Sequence, residues 1–331
     1  MLVCHKSPKG ASATISPSIV CLSANPALDR RLRLASLVPG EVQRAREAEG
    51  FPGGKAAHVA FSVHALGARV LWVGFLGGAI GKECAEGLVA LGIEAVPIHT
   101  KASTRVNLEF VEDSGRITEV LEPGAAPEEN ERAEMLRICS RTLDEDWKGA
   151  SLIISGSLPA DTSPDLYASL IDRARSAGSS SLVDTSGDAL RAALAARPAF
   201  VKCNRSEAES LLERKLPGAA EVLTACREFI SRGAASAAIT MGAGGLVWME
   251  RPKGPAWFAR PPKLTAISTV GCGDATMAGF AYALAQGKEG EEALRFATAC
   301  GAANCLAKFA GRISRADVES LLPRVAIEQI S

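Results

Sequence analysis

Short apolar runs alternate with amphipathic segments along the chain, and this alternation predicts an α/β protein. Ser18–Ser23 and residues 70–76 are apolar runs typical of buried strands, whereas residues 56–66 and 82–91 have apolar positions at helical spacing. Strands that alternate with helices indicate a mostly parallel sheet with helices on its faces.

The same alternation continues through the second half of the chain. The glycine-rich turn at residues 242–245 predicts a β-hairpin between the strands on either side of it. We predict strands at residues 152–154, 181–184, 200–202, 237–240 and 246–249, and helices at residues 164–177, 189–196, 206–212 and 221–232, with a last helix at residues 292–306.

Other segments alternate with period two, so that one face is apolar and the other is charged. Such strands are half exposed and do not suit a doubly wound core. We expect them to form a small separate sheet, a lid that would exclude water from a transferable phosphoryl group. The segments are residues 28–34, 105–112 and 117–121, with a further edge segment at residues 40–44.

Composition and charge narrow the class of protein. The 331 residues contain 37 Lys and Arg and 37 Asp and Glu, so the net charge is zero, which argues against a general nucleic-acid or membrane-surface binder. No apolar run approaches the roughly 20 residues that span a membrane. The nine cysteines form no Cys-x-x-Cys pair, which predicts reduced thiols in a cytoplasmic protein.

The most informative stretch is residues 268–280, where a glycine-rich turn leads into a small apolar helix. Free N–H groups at a helix N-terminus attract phosphates, and Asp274 lies in this first turn. A phosphate cradle beside a carboxylate suits phosphoryl transfer to a hydroxyl. The alternative is that Asp274 simply caps a turn. A Walker-type loop and a Gly-x-Gly-x-x-Gly dinucleotide fingerprint are both absent from the sequence.

Two signatures resemble those of the PfkB (ribokinase-like) carbohydrate kinases. Residues 269–274, Thr-Val-Gly-Cys-Gly-Asp, followed by Ala-Gly-Phe at 278–280, resemble the C-terminal signature of the family. Residues 52–60, Pro-Gly-Gly-Lys-Ala-Ala-His-Val-Ala, resemble the N-terminal one. Further family landmarks, in the family's order, are residues 155–159, 184–187 and 204–207.

The resemblance implies a ribokinase-like three-layer α/β/α sandwich with a mostly parallel central sheet and a small β-sheet lid. We expect the kinase domain at residues 19–325, with lid strands near residues 28–47 and 104–122. Residues 1–18 are polar and mixed and are expected to be a disordered leader. Because lid strands have exposed edges, a homodimer through the lid is also expected.

Further segments resemble the 1-phosphofructokinase and tagatose-6-phosphate kinase branch, whose substrates already carry a phosphate. The resemblance implies ATP-dependent phosphorylation of a hexose phosphate, fructose 1-phosphate to fructose 1,6-bisphosphate, with ATP and Mg²⁺ as cofactors. Alternatives are tagatose 6-phosphate or fructose 6-phosphate as substrate, or a non-catalytic sugar-binding regulator on the same fold. The segments are residues 25–29, 40–43, 104–107 and 155–159.

The same resemblance assigns roles to individual residues. Asp274 would be the general base, and the amides of Gly271, Cys272 and Gly273 would form the anion hole. Glu207 would also help to hold Mg²⁺, directly or through water. The sugar phosphate would be bound by Asp29, Gly53, Gly54, His58, Arg105, Asn107 and Ser157. The nucleotide would be bound by Asn204, Glu207, Thr240, Gly242, Gly244, Gly245 and Asn304.

This sequence departs from the family pattern at two positions. His58 stands where the family usually has Asn, so the identity of the sugar is open, and its titration could make binding depend on pH. Cys272 stands where Ala is usual. A thiol at a helix N-terminus tends toward the thiolate, so Cys272 is expected to be more reactive than the other cysteines, unless it only fills a tight turn.

Overall fold

The computed structural model describes residues 16–331 of the chain, and two sheets organise them. The strands are β1 (Ser18–Ser23), β2 (Ala27–Leu34), β3 (Glu47–Gly53), β4 (Arg69–Gly77), β5 (Glu94–Thr100), β6 (Arg105–Glu112), β7 (Ile117–Leu121), β8 (Ser151–Ser155), β9 (Ser181–Asp184), β10 (Phe200–Asn204), β11 (Ala237–Thr240), β12 (Leu246–Met249), β13 (Ala256–Arg260) and β14 (Ala326–Ile330). The helices are α1 (Lys55–Ala65), α2 (Gly78–Ala90), α3 (Glu129–Asp144), α4 (Asp165–Ser176), α5 (Gly187–Ala195), α6 (Arg205–Leu212), α7 (Ala219–Ser231), α8 (Cys272–Ala285), α9 (Gly290–Asn304) and α10 (Arg315–Leu321).

The larger sheet has ten strands in the order β14-β13-β12-β11-β10-β9-β8-β1-β4-β5. From β11 to β5 every neighbouring pair is parallel, because each connection within this part crosses over a face of the sheet. The last three strands, β12 to β14, are antiparallel additions at one edge. The predicted mostly parallel sheet and the predicted hairpin after β11 are both confirmed.

Helices cover both faces of this sheet, and each face has its own apolar core. On β1, Val20 and Leu22 pack against α3, α4 and α5, while Ile19 and Cys21 point to the opposite face toward α1, α8 and α9. All four side chains are at most 1% exposed. Strands buried on both faces read as continuous apolar runs, which is the pattern that made β1 recognisable in the sequence.

The smaller sheet has the order β3-β2-β6-β7, and it confirms a separate lid of amphipathic strands. Strand β2 pairs in parallel with β6 and antiparallel with β3. The prediction of an edge segment at residues 40–44 was wrong, because that segment is irregular and the edge strand lies at β3. Pro52 disguised β3 in the sequence, but an edge strand tolerates a proline.

Several elements were not predicted from the sequence. Helix α3 is strongly polar, yet its buried positions Met135, Ile138, Cys139, Thr142 and Leu143 follow helical spacing. Strands β5, β13 and β14 and helix α10 were also missed, so α9 is not the last helix. Strand β14 pairs with β13, and the main sheet therefore extends past the expected boundary at residue 325. The expected leader falls mainly on residues 1–15, which lie outside the described residues, and Ser18 already belongs to β1.

Candidate active site

The sequence-predicted site residues converge where the carboxyl ends of the parallel strands meet the lid. Chain directions in a parallel sheet bring strands β8, β9, β10 and β11 to the same edge, which is where α/β sheets usually bind ligands. The lid strands β2 and β6 bring Asp29 and Asn107 to this edge as neighbouring partners. Helix α8 begins beside it and contributes Asp274.

The N-terminus of α8 is shaped by two glycines. Gly271 is the N-cap with φ of 81°, a left-handed conformation that favours glycine, and a Cβ there would lie 2.7 Å from Ala310 Cβ. A Cβ on Gly273 would lie 2.9 Å from the ammonium nitrogen of Lys202. The first turn of α8 therefore presents free amides beside a cation, an arrangement that can hold a phosphate.

Asp274 belongs to a buried chain of three ionisable side chains. His58 Nδ1 lies 2.8 Å from Asp274 Oδ2, and His58 Nε2 lies 2.9 Å from Asp29 Oδ2. Asn107 Nδ2 donates to Asp29 Oδ1 at 2.8 Å. Helix α1 thus links the acid on α8 to the acid on the lid. The Asp29 side chain is only 13% exposed and faces the site, although it lies on an amphipathic lid strand.

The geometry of this chain fixes the charge of His58. A neutral imidazole donates from one nitrogen only, but both nitrogens of His58 face carboxylate oxygens. Burial disfavours the imidazolium, yet the hydrogen bonds to Asp274 and Asp29 and their charges outweigh it and raise the pKa of His58 to about 10. An imidazolium therefore lies between two carboxylates, and the three groups carry one net negative charge. With an asparagine at position 58, the same three positions would carry two net negative charges.

Gly53 and Gly54 are required for different reasons. A Cβ on Gly53 would lie 2.0 Å from Asp29 Cγ, so only glycine lets the lid carboxylate approach this closely. Gly54 is the N-cap of α1 and has φ of 84°, which favours glycine on conformational grounds. The Gly-Gly pair therefore does more than permit a turn.

Beside Asp29 and Asn25 lie three more of the predicted site residues, Arg105, Asn107 and Ser157. Arg105 donates from Nη2 to the Asn25 carbonyl at 3.2 Å and from Nη1 to the Glu122 carbonyl, while its Nε is buried without a partner among the described residues. Asn107 Oδ1 is likewise buried and unpartnered there. Ser157 is exposed and accepts a long 3.4 Å contact from the Asn25 amide. An unpaired donor and an unpaired acceptor remain for a polar ligand.

A cluster of charges beside the α8 N-terminus was missed by the sequence analysis. Asp184 is fully buried, with its Oδ1 3.0 Å from Lys55 Nζ and its Oδ2 bonded to Lys202 Nζ. Lys55 also reaches Glu207 Oε1 at 3.1 Å. Burial opposes the charge of Lys55, but Asp184 and Glu207 more than compensate and raise its pKa. The sequence signal that could have found this cluster is position: Asp184 ends β9, and Lys202 lies two residues before the end of β10. Residues at the carboxyl ends of neighbouring parallel strands lie close together at the ligand-binding side of the sheet.

Asn204 and Glu207 form a reciprocal capping box at the start of α6. Glu207 N donates to Asn204 Oδ1 at 2.9 Å, and Asn204 N donates to Glu207 Oε2 at 2.8 Å. The two residues thus cap α6, and the second carboxylate oxygen of Glu207 accepts from Lys55.

The glycine turn after β11 lies at the same edge of the sheet. Thr240 is paired in register with Asn204, and residues Gly242–Gly244 form a short 3₁₀ turn. Gly242 has φ of 58° and Gly245 has φ of 100°, and a Cβ on Gly245 would lie 2.2 Å from the Ala259 carbonyl oxygen. Gly242, Ala243 and Gly244 are exposed and carry little or no side chain, which suits a flat ligand ring.

Asn304 lies behind the cradle and does not face a ligand. Its Nδ2 donates to the Val270 carbonyl at 2.7 Å, and its Oδ1 accepts from Gly311 N at 2.8 Å. The side chain is 1% exposed. The expectation that Asn304 contacts the nucleotide is corrected accordingly, since both arms of its amide hold the loop before α8.

Residues 16–331 contain neither a membrane-spanning helix nor a ready-made metal cluster. No helix in this range is long and apolar enough to cross a membrane. Within the same range, no three or more His, Cys, Asp or Glu side chains group in a way that could hold a metal ion by themselves.

Known proteins share this chain's sequence pattern over most of its length. Residues 19–315 match the profile described as pfkB family carbohydrate kinase. The 1-phosphofructokinase of Vibrio cholerae is 32% identical over 293 residues, which cover 87% of this chain and 89% of the relative. The 1-phosphofructokinase of Xanthomonas campestris is 33% identical over 95% of this chain and 99% of the relative.

Solved structures share the fold. Phosphofructokinase-2 of Escherichia coli in complex with potassium superposes with a TM-score of 0.86 at 28% identity, covering 93% of this chain and 99% of that one. This similarity confirms the ribokinase-like sandwich with its lid. The chain belongs to the pfkB family of carbohydrate kinases and is a phosphotransferase with an alcohol group as acceptor.

Proposed function

We propose that this kinase uses ATP to phosphorylate fructose 1-phosphate at its free primary hydroxyl, forming fructose 1,6-bisphosphate. The observation that carries the proposal is the position of Asp274, which lies in the first turn of α8 beside free amides and Lys202. The curated relatives named 1-phosphofructokinase support the choice of sugar.

Asp274 acts as the general base in this proposal. The sugar hydroxyl enters beside Asp274 and loses its proton to the carboxylate as its oxygen attacks the γ-phosphoryl group of ATP. The P–O bond to ADP breaks as the new P–O bond forms. The amides of Gly271, Cys272 and Gly273, together with Lys202, stabilise the negative charge of the transferred group.

The lid side of the pocket orients the sugar. Asp29 accepts hydrogen bonds from sugar hydroxyls, and the unpartnered Asn107 Oδ1 accepts another. Arg105 is proposed to bind the phosphate that the substrate already carries, through its unpartnered Nε and its remaining N–H groups. Ser157 is exposed beside Asn25 and completes this end.

The nucleotide is proposed to lie along the edge formed by Asn204, Thr240 and the glycine turn Gly242–Gly245. Both oxygens of Glu207 already accept hydrogen bonds from the protein, one from Asn204 N and one from Lys55. This carboxylate therefore fits a magnesium ion held mainly by ATP phosphates and contacted through water. Bound there, Mg²⁺ would neutralise phosphate charge. We place the reaction in the cytoplasm, where ATP and free thiols persist.

A coupled assay that detects ADP tests this proposal. The purified protein is given MgATP with fructose 1-phosphate, fructose 6-phosphate, tagatose 6-phosphate or free fructose. We expect the highest kcat/KM with fructose 1-phosphate. A higher value with either 6-phosphate would reassign the substrate, and turnover of free fructose alone would contradict the role of Arg105.

Turnover of none of these sugars would favour the non-catalytic regulator, which remains the alternative from a different class. The presence of Asp274 and of the glycines at the α8 N-terminus argues against it, because a protein that only binds sugar needs neither.

A further inference from the structure

Two partly exposed thiols lie in contact at the phosphate cradle. Cys272 is the first residue of α8 and Cys305 is the C-cap of α9, and their sulfur atoms are 3.3 Å apart. Among the eight cysteines that the structure describes, the other six are buried. Cys272 and Cys305 are therefore the two thiols of residues 16–331 that a solvent oxidant can reach.

Close helix packing holds the two sulfurs in this position. A Cβ on Gly279 would lie 2.6 Å from Ala297 Cα, and one on Gly301 would lie 2.3 Å from Thr276 Oγ1. Helices α8 and α9 thus touch through glycines and have little freedom to slide. Asn304 adds a 3.5 Å contact from Nδ2 to the Cys272 sulfur. The helix backbones that carry the two thiols are therefore held close to each other.

The hydrogen bond between the thiols divides their reactivity. When Cys272 is the donor, this hydrogen bond lowers the pKa of Cys305 to about 7 and, together with burial, raises the pKa of Cys272. In this arrangement Cys305 is the first nucleophile, which is an alternative to the expectation that Cys272 holds the thiolate. Cys272 is left as the resolving thiol next to it.

We propose that Cys272 and Cys305 are a redox-modification site, at which a peroxide drives formation of a disulfide that inactivates the phosphate cradle. The Cys305 sulfur attacks the peroxide O–O bond and becomes a sulfenic acid, releasing hydroxide that takes up a proton to give water. The Cys272 sulfur then attacks the sulfenic sulfur, the S–S bond forms, and a second water leaves. Two thiols and hydrogen peroxide give one disulfide and two waters, and a dithiol reductant reverses the change.

The cross-link changes the cradle because the sulfurs must move closer together. A disulfide needs an S–S distance of about 2.05 Å, well below the present 3.3 Å. The glycine contacts fix the bodies of both helices, so the movement falls on the first turn of α8 or on the end of α9. The Cys305 carbonyl accepts from Ile267 N at 2.7 Å, so a shift of Cys305 also moves the loop before α8.

This inference rests on the proposed function, since it regulates the same site. Misplacement of a reacting group by about 1 Å can reduce a rate on the order of a hundredfold. We therefore expect the disulfide to lower kcat/KM by at least about tenfold. ATP binding, measured by calorimetry, is expected to weaken because the cradle amides move.

The test combines peptide mapping with kinetics on the full chain. Protein treated with hydrogen peroxide is alkylated, digested without reductant and analysed by mass spectrometry. We expect a linked Cys272–Cys305 peptide pair, lighter by two hydrogen atoms than the separate thiol peptides, with loss of activity that dithiothreitol restores. Cys305→Ala is expected to be as active as the wild type with reduced thiols, and to keep this activity after peroxide treatment. Cys139→Ala, in the core and away from the site, is expected to remain sensitive like the wild type.

Absence of the linked peptide, a linked protein with unchanged kinetics and ATP affinity, or equal inhibition of Cys305→Ala would each overturn the proposal. The mapping and the calorimetry need no sugar. The reduced protein could phosphorylate no sugar phosphate, and yet form the link with peroxide and then bind ATP more weakly. That result would contradict the proposed function but support the redox site.

Discussion

At the scale of single residues, His58 is the position that most changes the chemistry expected of the site. It bridges Asp29 on the lid and Asp274 on α8, and its positive charge cancels one of the two carboxylate charges. A doubly charged sugar phosphate therefore meets less repulsion than it would beside an asparagine. A flat imidazolium also sets a different distance between the two acids than an amide does.

Replacing His58 by Asn removes a group whose pKa is raised from the ordinary 6.5 to about 10. Its stabilisation is complete below about pH 6.5 and is lost as the pH rises through 10, because the unfolded chain binds the proton more weakly. The free energy of unfolding of the wild type should exceed that of the variant most near pH 6, and this difference should shrink toward pH 10. Urea denaturation at several pH values measures it.

The matched control is His64→Asn, an exposed histidine on the same helix, which should show no such trend. The variant His58→Asn should also change the ratio of kcat/KM between fructose 1-phosphate and the 6-phosphates. An unchanged ratio would remove His58 from the residues that select the sugar.

Gly53 provides a second test at this scale. The variant Gly53→Ala places a methyl group where Asp29 Cγ is only 2.0 Å away, so the carboxylate must move and its bonds to His58 and Asn107 break. We expect KM for the sugar phosphate to rise by about tenfold or more, since one charge-assisted hydrogen bond contributes about 1.5–3 kcal/mol. Steady-state kinetics measure this change.

Gly50→Ala is the control for this substitution. Gly50 lies on the same strand, and its added methyl group would meet only the flexible Glu83 side chain, at 3.2 Å, and Leu28. A KM that rises equally in both variants would mean that the strand, and not the approach of Asp29, controls binding.

At the scale of elements, the charges around Asp184 join four parts of the sandwich at the site. Lys55 comes from α1, Asp184 from β9, Lys202 from β10 and Glu207 from α6. Their mutual contacts hold the ends of these elements together at the edge of the sheet. Buried ionic groups are costly unless each is paired, so this cluster is sensitive to the loss of any member.

Lys202→Met tests that sensitivity. It leaves fully buried Asp184 with Lys55 as its remaining cation, and we expect a loss of about 3 kcal/mol in the free energy of unfolding. Adding Asp184→Asn should recover part of the loss, because the uncompensated charge is gone. Urea denaturation at neutral pH provides the measurement.

Lys215→Met serves as the comparison. That lysine is exposed and forms an ion pair with Glu209, so its substitution should cost much less free energy of unfolding than Lys202→Met. Equal losses in both lysine variants, or no recovery in the double variant, would contradict a tightly coupled buried cluster.

Most elements of the sheet could be predicted because their burial leaves a simple pattern. Strand β1 is apolar on both faces and α8 is small and apolar throughout, so both are visible in the sequence. Helix α3 has a polar surface that masks its buried stripe, and β5 carries Pro97 at the edge of the sheet. Edge and surface elements therefore carry the weaker signals.

The site could be predicted only in part for a related reason. Signature residues such as Asp274, Gly53 and Asn204 lie in recognisable motifs. Asp184 and Lys202 meet only because β9 and β10 are neighbours in the sheet. The bridge through His58 and the contact between Cys272 and Cys305 also depend on tertiary packing, which no local spacing records.

At the scale of the whole molecule, the lid is joined to the body near the loop after α9. Arg31 donates to the Lys308 carbonyl and lies over the Phe309 ring, whose centroid is 4.9 Å from that of Phe51. Glu49 of the lid forms an ion pair with Lys308 at 2.8 Å. These contacts hold the lid over the site, where His58 bridges Asp29 and Asp274.

The outer lid strand β7 has no further strand beside it among residues 16–331 and exposes Val120 and Leu121, which are 52% and 58% accessible. This edge supports the proposed homodimer through the lid, because unpaired strands and apolar side chains invite a second copy. Val120→Lys should weaken the dimer by about tenfold or more, as measured by analytical ultracentrifugation. Val89→Lys, an exposed valine on α2 away from the lid edge, is the control.

A wild-type protein that is monomeric at micromolar concentration would contradict the dimer. So would a Val120→Lys variant that associates as tightly as the wild type.

The central claim is that Asp274 takes the proton from a hydroxyl of fructose 1-phosphate while ATP supplies the phosphoryl group. Phosphorus NMR of fructose 1-phosphate and MgATP, incubated with the wild type or with Asp274→Asn, tests it directly. We expect a second phosphate ester on the sugar and an equal amount of ADP, formed about a thousandfold more slowly by the variant. No second ester with the wild type, or equal rates for the two proteins, would contradict it.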